Sequence, residues 1–372
     1  MLYLDHNATT YMLPEVKEFM INLIHGGNNA SSVHSNGRNA RRLIEHARGQ
    51  VAKAVGIDIN SRQYQIVFTS SGTESNNLIM SNYYDGEIFI SAVEHLSIFE
   101  HLKYASNIKI IKVDNNGIVD LADLERLLGA SSNSKKLVSV MLANNESGVI
   151  QNIQKIAEIA HKYQAIVHSD CVQAFGKIRV NIKELAVDFI TLSAHKIGGG
   201  QGSSALIGES KYILKPLIIG GGQEKNIRSG TENIASIAAF GLAAEIADSE
   251  LLNRYKKMKG LQTLLEQSLY KYKNIEIVAQ SLQRLPNTSL IIIPGTEAQV
   301  KLIAFDLCGI LVSSGSACSS GKVGASHVLA SMGVSDKDAR SSIRVSFGYD
   351  NKVEEVITFI QAFEQIYSQE II

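Results

Sequence analysis

Two stretches decide the fold: Ala165-Ile166-Val167-His168-Ser169-Asp170, and Phe189-Ile190-Thr191-Leu192-Ser193-Ala194-His195-Lys196. Both begin as short apolar runs without alternation, the pattern of strands covered on both faces in a parallel sheet. A carboxylate ends the first run. A lysine follows the second, just ahead of Gly198-Gly199-Gly200-Gln201-Gly202. Working outward, further strands are expected at Gln65–Thr69, Glu87–Ser91, Lys109–Val113 and Leu137–Leu142. Segments of helical period lie between them, at Asn39–Val55, Glu74–Tyr83, Ile98–Ala105, Leu121–Leu128 and Ile153–Lys162. That alternation predicts a three-layer α/β unit with a mainly parallel sheet and its sites at the carboxyl ends of the strands.

Beyond it, one long helical stretch is expected from Ile234 to Tyr272. Leu251, Leu252, Tyr255, Met258, Leu261, Leu264 and Leu265 form its apolar face, and Arg254, Lys256, Lys257 and Lys259 a solvated basic one. Strand-like Ser289–Ile293 and Ser342–Phe347 then suggest a smaller α+β unit. The 372 residues suit two domains: a large one over 14–250, and a small one combining 1–13 with 251–372.

Composition narrows the functions. With 36 basic and 36 acidic residues, the chain lacks the cationic excess that nucleic acid or an anionic membrane rewards. Met1-Leu2-Tyr3-Leu4-Asp5-His6 lacks the features of a signal peptide, and the apolar tracts are too short for a membrane span, so a cytoplasmic protein is expected. Three cysteines, Cys171, Cys308 and Cys318, form no disulfide framework and no zinc motif, and the remaining histidines form no ligand triad. No metal is expected.

Five constellations could carry chemistry. Ser70-Ser71-Gly72-Thr73-Glu74 after a strand is a helix start whose free N–H groups attract phosphate; an ordinary N-cap reads the same way. Asp170 with Gln173, and Lys196 among glycines, match what pyridoxal phosphate needs: a lysine to bind it, an acid to keep its ring nitrogen protonated, and an anion cradle. A strand-end ion pair is the plain alternative. Ser313-Ser314-Gly315-Ser316-Ala317-Cys318-Ser319-Ser320-Gly321 makes an accessible loop around a thiol, whereas Cys308, among Phe305, Leu307, Ile310 and Leu311, is expected in the core. In Ser342-Ile343-Arg344-Val345-Ser346, Arg344 sits on the polar face and could clamp a carboxylate, or be a surface arginine on an edge strand. Gly220-Gly221-Gly222 with Arg228-Ser229-Gly230-Thr231 is either a loop and cap or a second anion contact.

With these stretches in order, the chain resembles the cysteine desulfurases, in the class V aminotransferase group of fold-type I pyridoxal phosphate enzymes. The likeness runs nearly end to end, through Tyr3 to Thr10, Thr69 to Asn77, Glu94-His95, Asn144-Asn145-Glu146, His168 to Gln173, Ser193 to Lys196, Arg228 to Thr231, Ser313 to Ser320 and Ser342 to Arg344. The Lys196 surroundings are shared across class V; Ser-Ser-Gly-Ser-Ala-Cys speaks for sulfur transfer. The chain departs from the family pattern at Cys171, Ala194, Lys322-Val323-Gly324 and the proline-free run after Lys196.

The resemblance implies that Lys196 carries the cofactor and abstracts the substrate Cα proton. Asp170 pairs with the ring nitrogen, Gln173 bonds the ring hydroxyl, and His95 stacks on the ring and moves protons. Gly72, Thr73, Ser193 and His195 hold the phosphate, with Thr231 from the neighbour in a homodimer. Arg344 and Asn145 bind the carboxylate of L-cysteine. Cys318 takes the sulfur as a persulfide, leaving alanine, and passes it to an acceptor such as an iron–sulfur cluster scaffold or a tRNA thiolation protein. The competing expectations are a selenocysteine lyase or aminotransferase of the same fold, and a non-catalytic scaffold.

Overall fold

The computed structural model describes residues 1–24, 26, 29–315 and 326–370, the last three without side chains. Cys318 lies outside the described residues. The chain begins with a two-residue strand, β1 (Leu2–Tyr3), and then builds β2 (Tyr64–Thr69), β3 (Glu87–Ser91), β4 (Ile108–Ile111), β5 (Lys136–Ser139), β6 (Ile166–Asp170), β7 (Phe189–Ser193) and β8 (Ser204–Glu209). Among the described residues these last seven form one sheet in the order β2-β8-β7-β6-β5-β3-β4. Its β7-β6-β5-β3-β4 portion is parallel throughout. β8 runs antiparallel to both neighbours, so β2 points the same way as β7.

Side-chain alternation along each strand feeds two separate cores, one per face. Phe68, Phe89, Val138, Val167, Ile190 and Ile207 pack with the helices Ser35–Ala54, Leu121–Gly129, Ile153–Lys162 and Ile234–Ser249. Val67, Ile88, Ile90, Leu137, Phe189 and Leu206 pack with Gly72–Ser81 and Leu96–Phe99. Burial on both faces explains why the strands read as unbroken apolar runs. The expected three-layer α/β architecture with a mainly parallel sheet is the observed one.

The second body of structure holds β9 (Glu276–Ile277), β10 (Thr288–Ile292), β11 (Ile310–Leu311), β12 (Ser313–Ser314) and β13 (Ser342–Ser346). Four of them make an antiparallel sheet in the order β12-β13-β10-β9, and β1 pairs with β11. Leu2 and Leu4 join Leu261, Leu265, Ile291, Phe305, Val345 and Phe359 in its core.

Several expectations need correction. The stretch from Ile234 to Tyr272 is two helices, Ile234–Ser249 and Leu251–Leu269, broken at Glu250. In the second, Leu252 is 63% exposed. Arg254, by contrast, is buried, paired to Glu250 and stacked over Tyr349: the buried face keeps Met258, Leu261 and Leu265 but takes in Arg254, Gln262 and Glu266 in place of Leu252 and Tyr255. Cys308 is exposed rather than in the core, because it caps the helix Ala298–Leu307 where that helix leaves the protein, beside the exposed Leu307. Arg344 is no edge-strand surface residue. β13 lies between β12 and β10, and Arg344 is 1% exposed.

Candidate active site

A cavity of about 300 Å³ opens at the carboxyl ends of the large sheet, within the range of small-molecule sites. Five of the strands contribute, each where its backbone runs out. Ser71, Gly72 and Thr73 follow β2; His95 follows β3; Met141 and Asn145 follow β5; Asp170 ends β6; and Ser193, His195 and Lys196 finish β7 and its short 3₁₀ turn. Asn7 and Ala8 cross from the N-terminal segment to close one wall.

The helix Gly72–Ser81 starts at the cavity. Ser71 caps it by accepting from the Glu74 N–H at 3.1 Å. Glu74 in turn holds Arg228 at 2.8 Å. A Cβ at Gly72 would come within 3.2 Å of the Val172 Cγ2, so glycine keeps the helix start close to the β6 end. Its first N–H groups and positive end face the cavity, and with the Ser193 hydroxyl and His195 they make an anion-binding end.

At the opposite end of the donor set sits Asp170, 5% exposed. Its Oδ1 accepts from the Val172 N–H at 2.9 Å, and its Oδ2 from the Asn76 amide at 2.8 Å. The same amide donates to Ser97 Oγ at 2.8 Å, and Ser97 bonds His95 Nδ1 at 2.9 Å. One asparagine thus fixes the carboxylate and, through Ser97, the imidazole. Burial, reinforced by the charge of Lys196 and opposed by Asp170, lowers the His95 pKa below its ordinary value. The imidazole is therefore neutral and able to accept a proton near neutral pH.

Lys196 donates to the Ala8 carbonyl at 2.7 Å and also to the Asn7 carbonyl. Gln173 donates to that Asn7 carbonyl at 2.9 Å. Arg344 does not line the cavity. It stands behind Asn145, with Nη1 on the Asn145 carbonyl at 3.0 Å and Nη2 on Asp5 at 2.7 Å, while its Nε is buried with no hydrogen-bond partner among the described residues. Thr231 is exposed and absent from the cavity wall of its own chain. Of the residues expected in the site, the structure brings together Gly72, Thr73, His95, Asn145, Asp170, Gln173, Ser193, His195 and Lys196.

Four residues around the site carried no individual signal. Asn76 sits one helical turn from Gly72, where its side chain turns back to Asp170. Asn7 lies in a segment with no regular period. Lys177 falls four residues after Gln173, a spacing that could have flagged it. Glu94 is 0% exposed; its Oε1 accepts from Ser91 and from the Met141 N–H, while its Oε2 has no partner among the described residues.

Burial, with a contribution from Asp170, pushes the Glu94 carboxyl up to about 8, and burial pushes Glu146 up to about 7 against the pull of Ser326 and Arg344. On the other side, burial lowers His6 to about 4, assisted by Lys177, and His168 to about 3. The signs set a pH profile. Between an ordinary carboxyl value and about 8, the folded chain binds the carboxyl protons more tightly than the unfolded chain, so stability falls as pH rises through that window. The depressed histidines act oppositely: the unfolded chain takes up their protons first, and stability falls as pH drops below the ordinary imidazole value. The opposing slopes cancel between the ordinary carboxyl and imidazole values, so thermal unfolding is expected to show maximum stability between about pH 4.5 and 6.5 and to lose it above that window. Glu94→Gln should flatten the alkaline limb by up to about 1.4 kcal/mol per pH unit; an unchanged slope would contradict the buried, protonated Glu94.

The class-V aminotransferase family model matches residues 2–359. The cysteine desulfurase IscS of Dictyoglomus turgidum is 37% identical, over 98% of this chain and 94% of that protein. The solved structure of a NifS-like protein from Rickettsia africae is 56% identical, covers 99% of both chains and superimposes with a TM-score of 0.95. A structure of SspA in complex with cysteine is 26% identical over 93% of this chain and 99% of that one, with a TM-score of 0.79. On this family match and these relatives, the chain belongs to the class-V aminotransferases and, among them, to the cysteine desulfurases.

Proposed function

We propose that the chain uses pyridoxal phosphate to remove sulfur from L-cysteine, giving L-alanine and a persulfide on Cys318. The observation that carries the reading is a single cavity holding Lys196, the buried Asp170 and a helix N-terminus. The donor set fits the cofactor: Gly72, Thr73, Ser193 and His195 would hold its phosphate, Asp170 its ring nitrogen, and Gln173 its ring oxygen, with His95 against the ring. When bound, pyridoxal phosphate supplies an electron-accepting ring that acidifies the Cα–H of an amino acid.

Lys196, on the cavity wall, holds and moves that Cα proton. The neutral His95 imidazole can accept or return a proton at the substrate sulfur. Asn145, on the cavity wall, supplies the carboxylate contact, with Arg344 held behind it on the Asn145 carbonyl. The Cys318 thiolate attacks the substrate sulfur, so an S–S bond forms as the C–S bond breaks. The electron pair of the C–S bond stays with carbon, which is protonated to alanine. The acceptor of the persulfide sulfur is proposed to be a protein, such as an iron–sulfur scaffold or a tRNA thiolation protein.

The exposed Thr231 supports a homodimer in which it completes the neighbour's anion site. The chain divides, on this reading, into 14–250 and the combination of 1–13 with 251–372. Incubation of the cofactor-loaded protein with L-cysteine should yield alanine and protein-bound persulfide in equal amounts on the first turnover. Absence of both would sink the proposal, and pyruvate with free sulfide in their place would favour an eliminating lyase.

A further inference from the structure

Lys177 is buried, 5% exposed, and no step above uses it. Among the described residues, its ammonium donates to the Asn7 Oδ1 at 2.8 Å and to the Gln173 Oε1 at 2.9 Å, and to no carboxylate. The charged groups that face it are Lys196 and Arg344, both cations, and they add to burial in lowering its pKa well below the ordinary lysine value. A purely stabilising lysine would be expected beside an acid. This one is placed against two amides.

A lysine only donates, and an amide presents an acceptor on one side and donors on the other. Lys177 therefore dictates which way two amides point. With its Oε1 turned to Lys177, Gln173 offers Nε2, one hydrogen of which goes to the Asn7 carbonyl; the other is left over on a residue that lines the cavity. With its Oδ1 turned to Lys177 and to Asn287 Nδ2 at 3.1 Å, Asn7 offers Nδ2 to Thr288 Oγ1 at 2.8 Å and to the Asn145 carbonyl at 3.2 Å. The Asn7 N–H donates to Ser346 Oγ at 2.9 Å, and its carbonyl receives Gln173 and Lys196. Every polar atom of Asn7 is in use.

We infer that Lys177 is a positioning residue: it locks the amides of Asn7 and Gln173 so that the cavity is met by an N–H donor from Gln173 and by carbonyls that hold Lys196. The ligand group Gln173 meets is then an acceptor, an ionised ring oxygen in the cofactor reading, on which this inference rests.

The test is the affinity of the apo chain for added pyridoxal phosphate, followed by visible absorbance. Lys177→Met should weaken binding about tenfold, the worth of one charge-assisted hydrogen bond. In a Gln173→Ala background the same change should alter binding less than about twofold, since the amide it orients is gone. Gln173→Glu guards against a misfolded Lys177→Met: it gives Lys177 an ion partner but removes the donor, and should keep the thermal midpoint while losing the same tenfold. Unchanged affinity in Lys177→Met or in Gln173→Glu, or effects that multiply in the double variant, would overturn the inference. A parent chain that binds no pyridoxal phosphate would instead overturn the cofactor reading, and this inference with it.

Discussion

Lys196→Ala is expected to lower alanine formation from L-cysteine by at least about a thousandfold, with the fold intact. Lys196 is the only lysine on the wall of the cavity among the described residues. Lys177 stands behind Gln173 and Asn7 and is already engaged with both. Among the described residues no second amine is therefore placed to take over the proton at Cα. Position is fixed by local structure: β7 ends at Ser193, the Ala194–Lys196 turn reverses the chain, and the Asn7 and Ala8 carbonyls receive the amine. Because the anion-binding end and Asp170 remain, the variant should still take up pyridoxal phosphate, without the covalent link to the protein. The mass of the denatured, borohydride-treated protein separates the two states. Alanine formation within tenfold of the parent would show that another group does the work.

The sequence carried the large sheet well because its strands are buried twice over. Burial on both faces removes alternation, and the unbroken runs at β3, β6 and β7 could hardly be anything else. β8 was missed for the opposite reason. Ser204-Ala205-Leu206-Ile207-Gly208-Glu209 is rich in small residues, and its Gly208 is there for the ring of Phe189, which a Cβ would strike at 2.1 Å. Such a contact belongs to tertiary packing and leaves no period in the chain. Cys308 shows the limit of neighbour composition: apolar residues flank it, yet the helix end that carries it points outward, and direction is set by what packs against the helix.

The site residues divide in the same way. Asp170, Lys196 and the helix start at Gly72 announced themselves because strand ends and helix starts are marked locally. Asn7, Asn76 and Lys177 did not. Their importance comes from amide orientation and from partners such as Ser346, 339 residues away from Asn7 along the chain.

Cys318→Ser should abolish persulfide formation and reduce alanine turnover by about a thousandfold or more. A serine hydroxyl is not ionised near neutral pH, whereas a thiol approaches its ionisation there and is the better nucleophile toward sulfur. The other two thiols sharpen the prediction, because neither is a substitute. Cys171 is buried, and burial pushes its pKa far up, with Asp170 adding to the shift; its thiol stays protonated and out of reach of any acceptor. Cys308 is exposed and is the one rival the structure offers. It caps a helix whose following strand, β11, pairs with β1, and it does not line the cavity. The informative comparison is therefore between the single substitutions at Cys308 and Cys318. Cys308→Ser should keep alanine formation and persulfide yield within about twofold of the parent. If Cys308→Ser lost the persulfide and Cys318→Ser kept it, the sulfur would travel through the wrong loop for this mechanism. If both variants kept full alanine formation, sulfur would leave without a protein thiol, and the chain would be a lyase rather than a transferase.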